Sequence, residues 1–198
     1  IIETEQWQPA PFSDGLIDEE LLALGMSAAN LGDLALAQQA ANELNKRSDT
    51  SARNLALREM ANQVSGLTLF MEAQREIAAG NNSSGTSKQR EALALLADAV
   101  SAAEQGRLPN GAANPLKPSH ELYGELLLSA GDAAKAATMF EESLLRTPNR
   151  SRSLLGAARA HRALGHDEVA AERYQALLAN WSEDSLPEVR EAKAYLGY

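Results

Sequence analysis

Apolar residues recur at three- and four-residue spacing along most of the chain, the period of helices with one buried face. Leu21, Leu24, Gly25 and Ala28 share the face of a first segment, and Ala37, Ala41 and Leu44 continue it beyond Gly32-Asp33. Lys46 and Arg47 suit a helix C-terminus there, and Ser48 to Ser51 supply a break and an N-cap. Leu55, Leu57, Met60, Val64, Leu67, Phe70, Met71 and Ile77 carry the pattern through 52–79 without a proline. This predicts one long helix, or two meeting at a kink near Gly66. Residues 80–87, GNNSSGTS, interrupt the pattern and predict a flexible loop. Ala92, Leu95, Leu96, Ala99 and Val100 restore it over 88–104. Residues 105–118 hold three prolines and two glycines, which predicts a connecting loop.

The strongest signal lies between Ser119 and Trp181, where one pattern occurs twice. Gly131-Asp132 and Gly165-His166-Asp167 are its landmarks, the glycines 34 residues apart. Ala136 and Ala170 follow five residues after each glycine, and Phe140 and Tyr174 four residues later. Each glycine suits a left-handed residue ending a first helix. Each alanine suits a close helix crossing, and each ring lies a turn further along the same face. Pro148 closes the first copy. Ser119 and Ser151 are candidate N-caps for the helices after Pro118 and Pro148. Ser185 and Glu188 have capping-box spacing, with Pro187 in the first turn of a last helix. Val189, Ala192, Ala194 and Leu196 give that helix an apolar face. Residues 1–15, with Pro9, Pro11 and Gly15, read as an extended lead-in whose Trp7 and Phe12 pack on the first helices.

The 34-residue period and its landmarks resemble the tetratricopeptide repeat (TPR), a helix–turn–helix unit that must stack to bury its apolar stripe. The likeness is clearest over 119–181 and weaker over 16–47, where Ala41 stands in place of the ring. Residues 52–104 fit in outline. The wording KPSHELYGELLL and FEESLLRTPNRSRSLLGAARA also resembles uncharacterised bacterial TPR proteins, in which such a segment forms the C-terminal part of a longer chain. The expected fold is an all-α, TPR-like αα-solenoid of about four helix pairs, 16–47, 52–104, 119–146 and 151–180. A capping helix at 186–196 completes a single domain, 16–198. The resemblance implies a scaffold that holds a peptide or a partner helix in the groove lined by the first helix of each pair. It carries no catalytic residue over. The family's carboxylate clamp, lysine and asparagine on successive first helices, is not matched.

Charge narrows the partners. Eighteen basic residues against 27 acidic give a net charge of −9, which argues against general nucleic-acid or anionic-membrane binding. No apolar run approaches the 18 residues of a membrane span. Scarce β-branched residues and 5% aromatics favour helix over sheet. With no cysteine there is neither a disulfide nor a thiolate metal site. The chain starts at Ile1, which reads as a processed protein or a piece of a longer one, and no compartment is indicated.

Candidate chemistry is confined to the first helices. Arg152, Leu155, Arg159 and Arg162 fall on one face of the segment after Pro148, and Glu121 and Glu125 hold the comparable face of the repeat before it. The arginines suit a carboxylate ligand such as a peptide C-terminus. The alternative is a solvated face, or pairing with Glu121, Glu125 and Asp167. His161 and His166 are five apart, unlike the i, i+4 pair of zinc sites, so no metal site is expected. His161 reads as an inter-helix packing residue and His120 as a surface residue in an early turn. Glu19-Glu20 and Glu141-Glu142 read as solvated helix surface. Trp181 and Tyr174 read as packing for the capping helix. No phosphate loop, nucleophile elbow or ligand cluster is present, so no catalytic residue and no cofactor is assigned. Three readings follow: a protein- or peptide-binding scaffold, the structural C-terminal domain of a longer enzyme or receptor, and self-association as a homodimer.

Overall fold

The structure is a computed structural model that describes residues 5–106 and 116–198. These residues form nine α-helices, and no strand occurs among them. α1 (Asp18–Leu31) and α2 (Leu34–Ser48) are a first pair, α3 (Asn54–Ala78) and α4 (Asn82–Gly106) a second. α5 (Ser119–Ser129) and α6 (Ala133–Arg146) follow, then α7 (Ser151–Ala163) and α8 (Asp167–Asn180), and α9 (Pro187–Leu196) ends the series. The all-α helical repeat expected from the periodicity is therefore present. Parts of the expected lead-in and of the 105–118 loop, residues 1–4 and 107–115, lie outside the described residues.

Helices group into two compact units, residues 1–108 and 109–198. In the first, α2 packs on α1 and α3, and α3 runs along α4. Leu21, Met26, Ala37, Ala41, Leu44, Val64, Phe70 and Leu96 are buried at their contacts. Phe12 borders an open cleft that Ala35 and Gln39 of α2 also line. In the second unit, α6 packs on both α5 and α7, and α8 on both α7 and α9. Ala136, Phe140, Ala170 and Tyr174, the residues of the repeated pattern, are all fully buried there.

The turns follow from their glycines. Gly32, Gly131 and Gly165 adopt φ of +88°, +88° and +73°, a region that costs glycine nothing and other residues a steric clash. The next N–H closes the helix end in each case: Asp33 to the Ala28 carbonyl, Asp132 to Leu127, His166 to His161. That same next residue starts the second helix. Asp33 and Asp132 accept from the amides of Leu36 and Lys135 through their carboxylates. His166 gives its helix no side-chain cap. Asp132→Ala is therefore expected to lower stability by about 1 kcal/mol, measurable as a fall in the urea midpoint with unchanged slope, whereas His166→Ala should cost no cap.

Several boundaries differ from expectation. The loop expected at 80–87 is reduced to Gly80 and Asn81, and the helix restarts at Asn82. Gly85 explains this: a Cβ there would come 2.9 Å from the Ala73 carbonyl oxygen, so the two long helices touch backbone to backbone. Close packing overrides the poor helix propensity of GNNSSGTS. The kink considered near Gly66 does not divide α3 either. Ser119 and Ser151 are first helical residues, and the N-cap positions belong to Pro118 and Arg150 without side-chain caps. Ser185 donates to Glu183 instead of forming a capping box, and Leu186 precedes Pro187 at the first helical position. After the break at Ser48–Ser51, α3 begins at Asn54 with Arg53 as its N-cap residue. In α9, Val189 and Ala192 are buried but Ala194 is exposed, because the helix turns Tyr195 inward onto Tyr174.

Candidate functional site

In the second unit the first helices, α5 and α7, lie side by side with α6 behind them. α9 takes the place of a next first helix, tied to α7 by charged side chains. Three of the expected groove residues sit at that junction. Arg152 Nη1 donates to Glu188 at 3.1 Å, and its guanidinium stacks 5.1 Å from the centre of the Trp181 ring. Arg159 forks onto Glu191, Nε at 3.1 Å and Nη2 at 2.6 Å. Arg162 Nη1 lies 3.7 Å from the same carboxylate. Tyr174 donates its hydroxyl proton to Glu191 at 2.6 Å. Burial pushes Glu191 up, but the bonds from Arg159 and Tyr174 outweigh it and hold its carboxyl below the usual range. The hydrogen bond to Glu191 dominates Arg159, which is held above its ordinary value. Burial, then Glu191, pushes the Tyr174 phenol well up.

Exposure separates these residues. Arg152 and Leu155 are buried, whereas the side chains of Arg159 and Arg162 keep 41% and 49% of their surface. Leu155 joins Leu154, Ala158, Tyr174, Leu177 and Ala192 in one apolar cluster, against which Trp181 packs. Trp181 lies just past the end of α8. The arginines thus find Glu191, which the sequence does not mark, and Glu188, which the sequence marks only by its capping-box spacing from Ser185. Both lie on one face of α9, three residues apart.

Glu121 and Glu125 occupy a different setting. Glu121 is wholly buried and accepts from Arg150 Nε at 2.7 Å and Ser153 Oγ at 2.6 Å, both on or beside α7. Ser153 in turn meets Ser143 of α6 at 2.9 Å. Lys117 Nζ stands 3.1 Å from the second Glu121 oxygen, near enough for an ion pair but out of line for a hydrogen bond. Lys117 donates instead to Glu125 at 2.6 Å, and Glu125 remains partly exposed. Neither Lys117 nor Arg150 was apparent from periodicity.

One histidine also departs from expectation. His120, expected on the surface, is buried, because α5 is enclosed along most of its first two turns. His161 packs between helices as expected, with Nε2 3.3 Å from Glu141 and Nδ1 3.2 Å from His166 Nδ1. Glu141 is not simply solvated: Arg173 of α8 forks onto it at 2.9 and 2.8 Å. Glu19 likewise pairs with Arg53, and Glu20 accepts from the Ile17 amide.

No family model matches the chain, and no curated protein matches it. Among solved structures it is similar to a thermophilic TPR protein of Thermus thermophilus, with a TM-score of 0.69 and 18% identity. That likeness covers 93% of this chain and 84% of the other. At such identity it establishes the fold, and the fold is a TPR-like helical repeat.

Proposed function

We propose that this chain of TPR fold is a non-catalytic scaffold that holds a protein segment against the α5–α7 face, with Arg159 and Arg162 as its polar contacts. The observation that carries the reading is charge: two half-exposed guanidiniums share the single carboxylate of Glu191. One positive charge is left over at a water-accessible surface of an acidic protein. A second carboxylate completes that set, and a peptide C-terminus or an acidic side chain brings one. Arg152 contributes by holding α9 in place, and Glu125 edges the face on α5. Among the described residues no helix is long and apolar enough to cross a membrane, which fits a partner met in water.

The test is a set of acidic peptides prepared with free or amidated C-termini. Fluorescence anisotropy should show saturable binding that is at least tenfold weaker for Arg159→Ala/Arg162→Ala. Stability of the variant should fall by about 1 kcal/mol, since both guanidiniums are half-exposed and Tyr174 still donates to Glu191. Equal binding by the variant, or no binding by any acidic peptide, would remove this reading in favour of a structural role for the face within a longer protein.

A further inference from the structure

We propose a second site: His161 and His166 together chelate a borderline divalent transition-metal cation of the Zn²⁺ and Cu²⁺ class. The two residues are five apart and share no helix face. The left-handed turn at Gly165 brings them together, with His161 in the last turn of α7 and His166 just before α8. Their Nδ1 atoms stand 3.2 Å apart and their ring centres 5.5 Å. Zinc–imidazole bonds of about 2.0–2.1 Å place two tetrahedral ligands about 3.3 Å from each other. The pair already has the separation of a coordination edge.

Glu141 sets the tautomer this requires. Its carboxylate, clamped by Arg173, lies 3.3 Å from His161 Nε2. An ionised carboxylate only accepts, so Nε2 carries the proton and Nδ1 keeps its lone pair. This carboxylate–histidine arrangement is the usual support behind a metal-bound imidazole. Without metal, His166 Nδ1–H donates to that lone pair. With metal, the His166 proton moves to Nε2 and both Nδ1 atoms face the cation.

Two further observations favour a ligand over simple packing. At the equivalent position of two other turns stands an aspartate that caps its helix, Asp33 and Asp132. His166 does not cap, so its side chain serves another contact. The pair also borders an open cleft of about 440 Å³ that Glu142 lines as well. Among the described residues no three metal-ligating side chains converge. The protein therefore supplies two donors, and water or a donor from a bound partner fills the remaining positions.

The test is isothermal titration of the untagged chain with ZnCl₂ and with CuCl₂. The background is low, because the third histidine, His120, is buried and the chain has no cysteine. One ion per chain is expected, Cu²⁺ tighter than Zn²⁺ in line with the usual order for nitrogen ligands. His161→Ala and His166→Ala should each weaken binding at least tenfold while circular dichroism stays unchanged. Glu141→Gln should weaken it about tenfold through loss of the tautomer lock. Absence of saturable binding by the wild-type chain, or binding by either alanine variant as tight as the wild type, overturns the proposal.

Discussion

Phe140→Ala is expected to destabilise the second unit by about 3–5 kcal/mol, the range for emptying a buried aromatic site. The ring is fully buried and lies against a glycine on each of two neighbouring helices. Gly124 of α5 faces it at 3.0 Å from where a Cβ would stand. A Cβ on Gly156 of α7 would overlap the same ring. The slot is therefore shaped by backbone on both sides, and backbone held in two packed helices cannot collapse into the void. The converse change makes the same point: Gly156→Ala should cost about 1–3 kcal/mol or more by overpacking. Combining it with Phe140→Leu should recover part of that loss, a coupling that separated sites would not show. Urea unfolding followed by Trp181 fluorescence in a Trp7→Phe background reads the second unit alone, since Trp181 packs on its apolar cluster. A loss below about 1 kcal/mol for Phe140→Ala would mean that α5 and α7 close over the gap.

Phe140 also shows which parts of this molecule its sequence displays. The ring, the alanine before it and the glycine of the turn are local features with fixed spacing, so periodicity reveals them. Gly124 and Gly156 carry no hydrophobic signal and become meaningful only once the ring is seen between them. The same holds for Gly85, whose closeness to the Ala73 carbonyl turns an apparent loop into the first turns of α4. Composition reads such small residues as flexible, and only the partner helix shows that they are there to be touched. For the binding face, the arginine stripe on α7 was legible because i, i+3 and i, i+4 neighbours share a helix surface. Its carboxylate partners were not, because Glu188 and Glu191 lie 36 and 32 residues further along the chain. Ion pairing at that distance depends on how the pairs stack, which no local pattern encodes. The closeness of His161 and His166 was hidden for a related reason: helical spacing rules do not apply across a left-handed turn.

The second large effect is expected at Glu121. Glu121→Gln should destabilise the second unit by about 3–5 kcal/mol, the range for breaking a buried ion network on one side. The carboxylate has no exposed surface, and Lys117 beside it is nearly as buried. Burial alone pushes the Glu121 carboxyl up, but the charges of Lys117 and Arg150 and the bonds from Arg150 and Ser153 hold it below its ordinary value. Burial likewise pushes Lys117 down, and Glu125 and Glu121 together hold it above its ordinary value. The signs fix the pH window. A carboxyl lowered on folding gives stability that is complete above its unfolded value, about 4.3, and is lost as pH falls through the folded value. An ammonium raised on folding gives stability that is complete below about 10.4 and is lost as pH rises through the folded value. The network should therefore hold α5 to α7 across the neutral range and fail in acid below the usual carboxylate range. Urea midpoints measured from pH 7 downward should fall steeply for the wild-type chain. For Glu121→Gln they should start lower and fall less, because the group that titrates is gone. Parallel curves for the two proteins would place the acid sensitivity at another carboxylate. Removing both partners, as in Glu121→Gln/Lys117→Met, should cost less than the sum of the single changes, since an unpaired buried charge is worse than none.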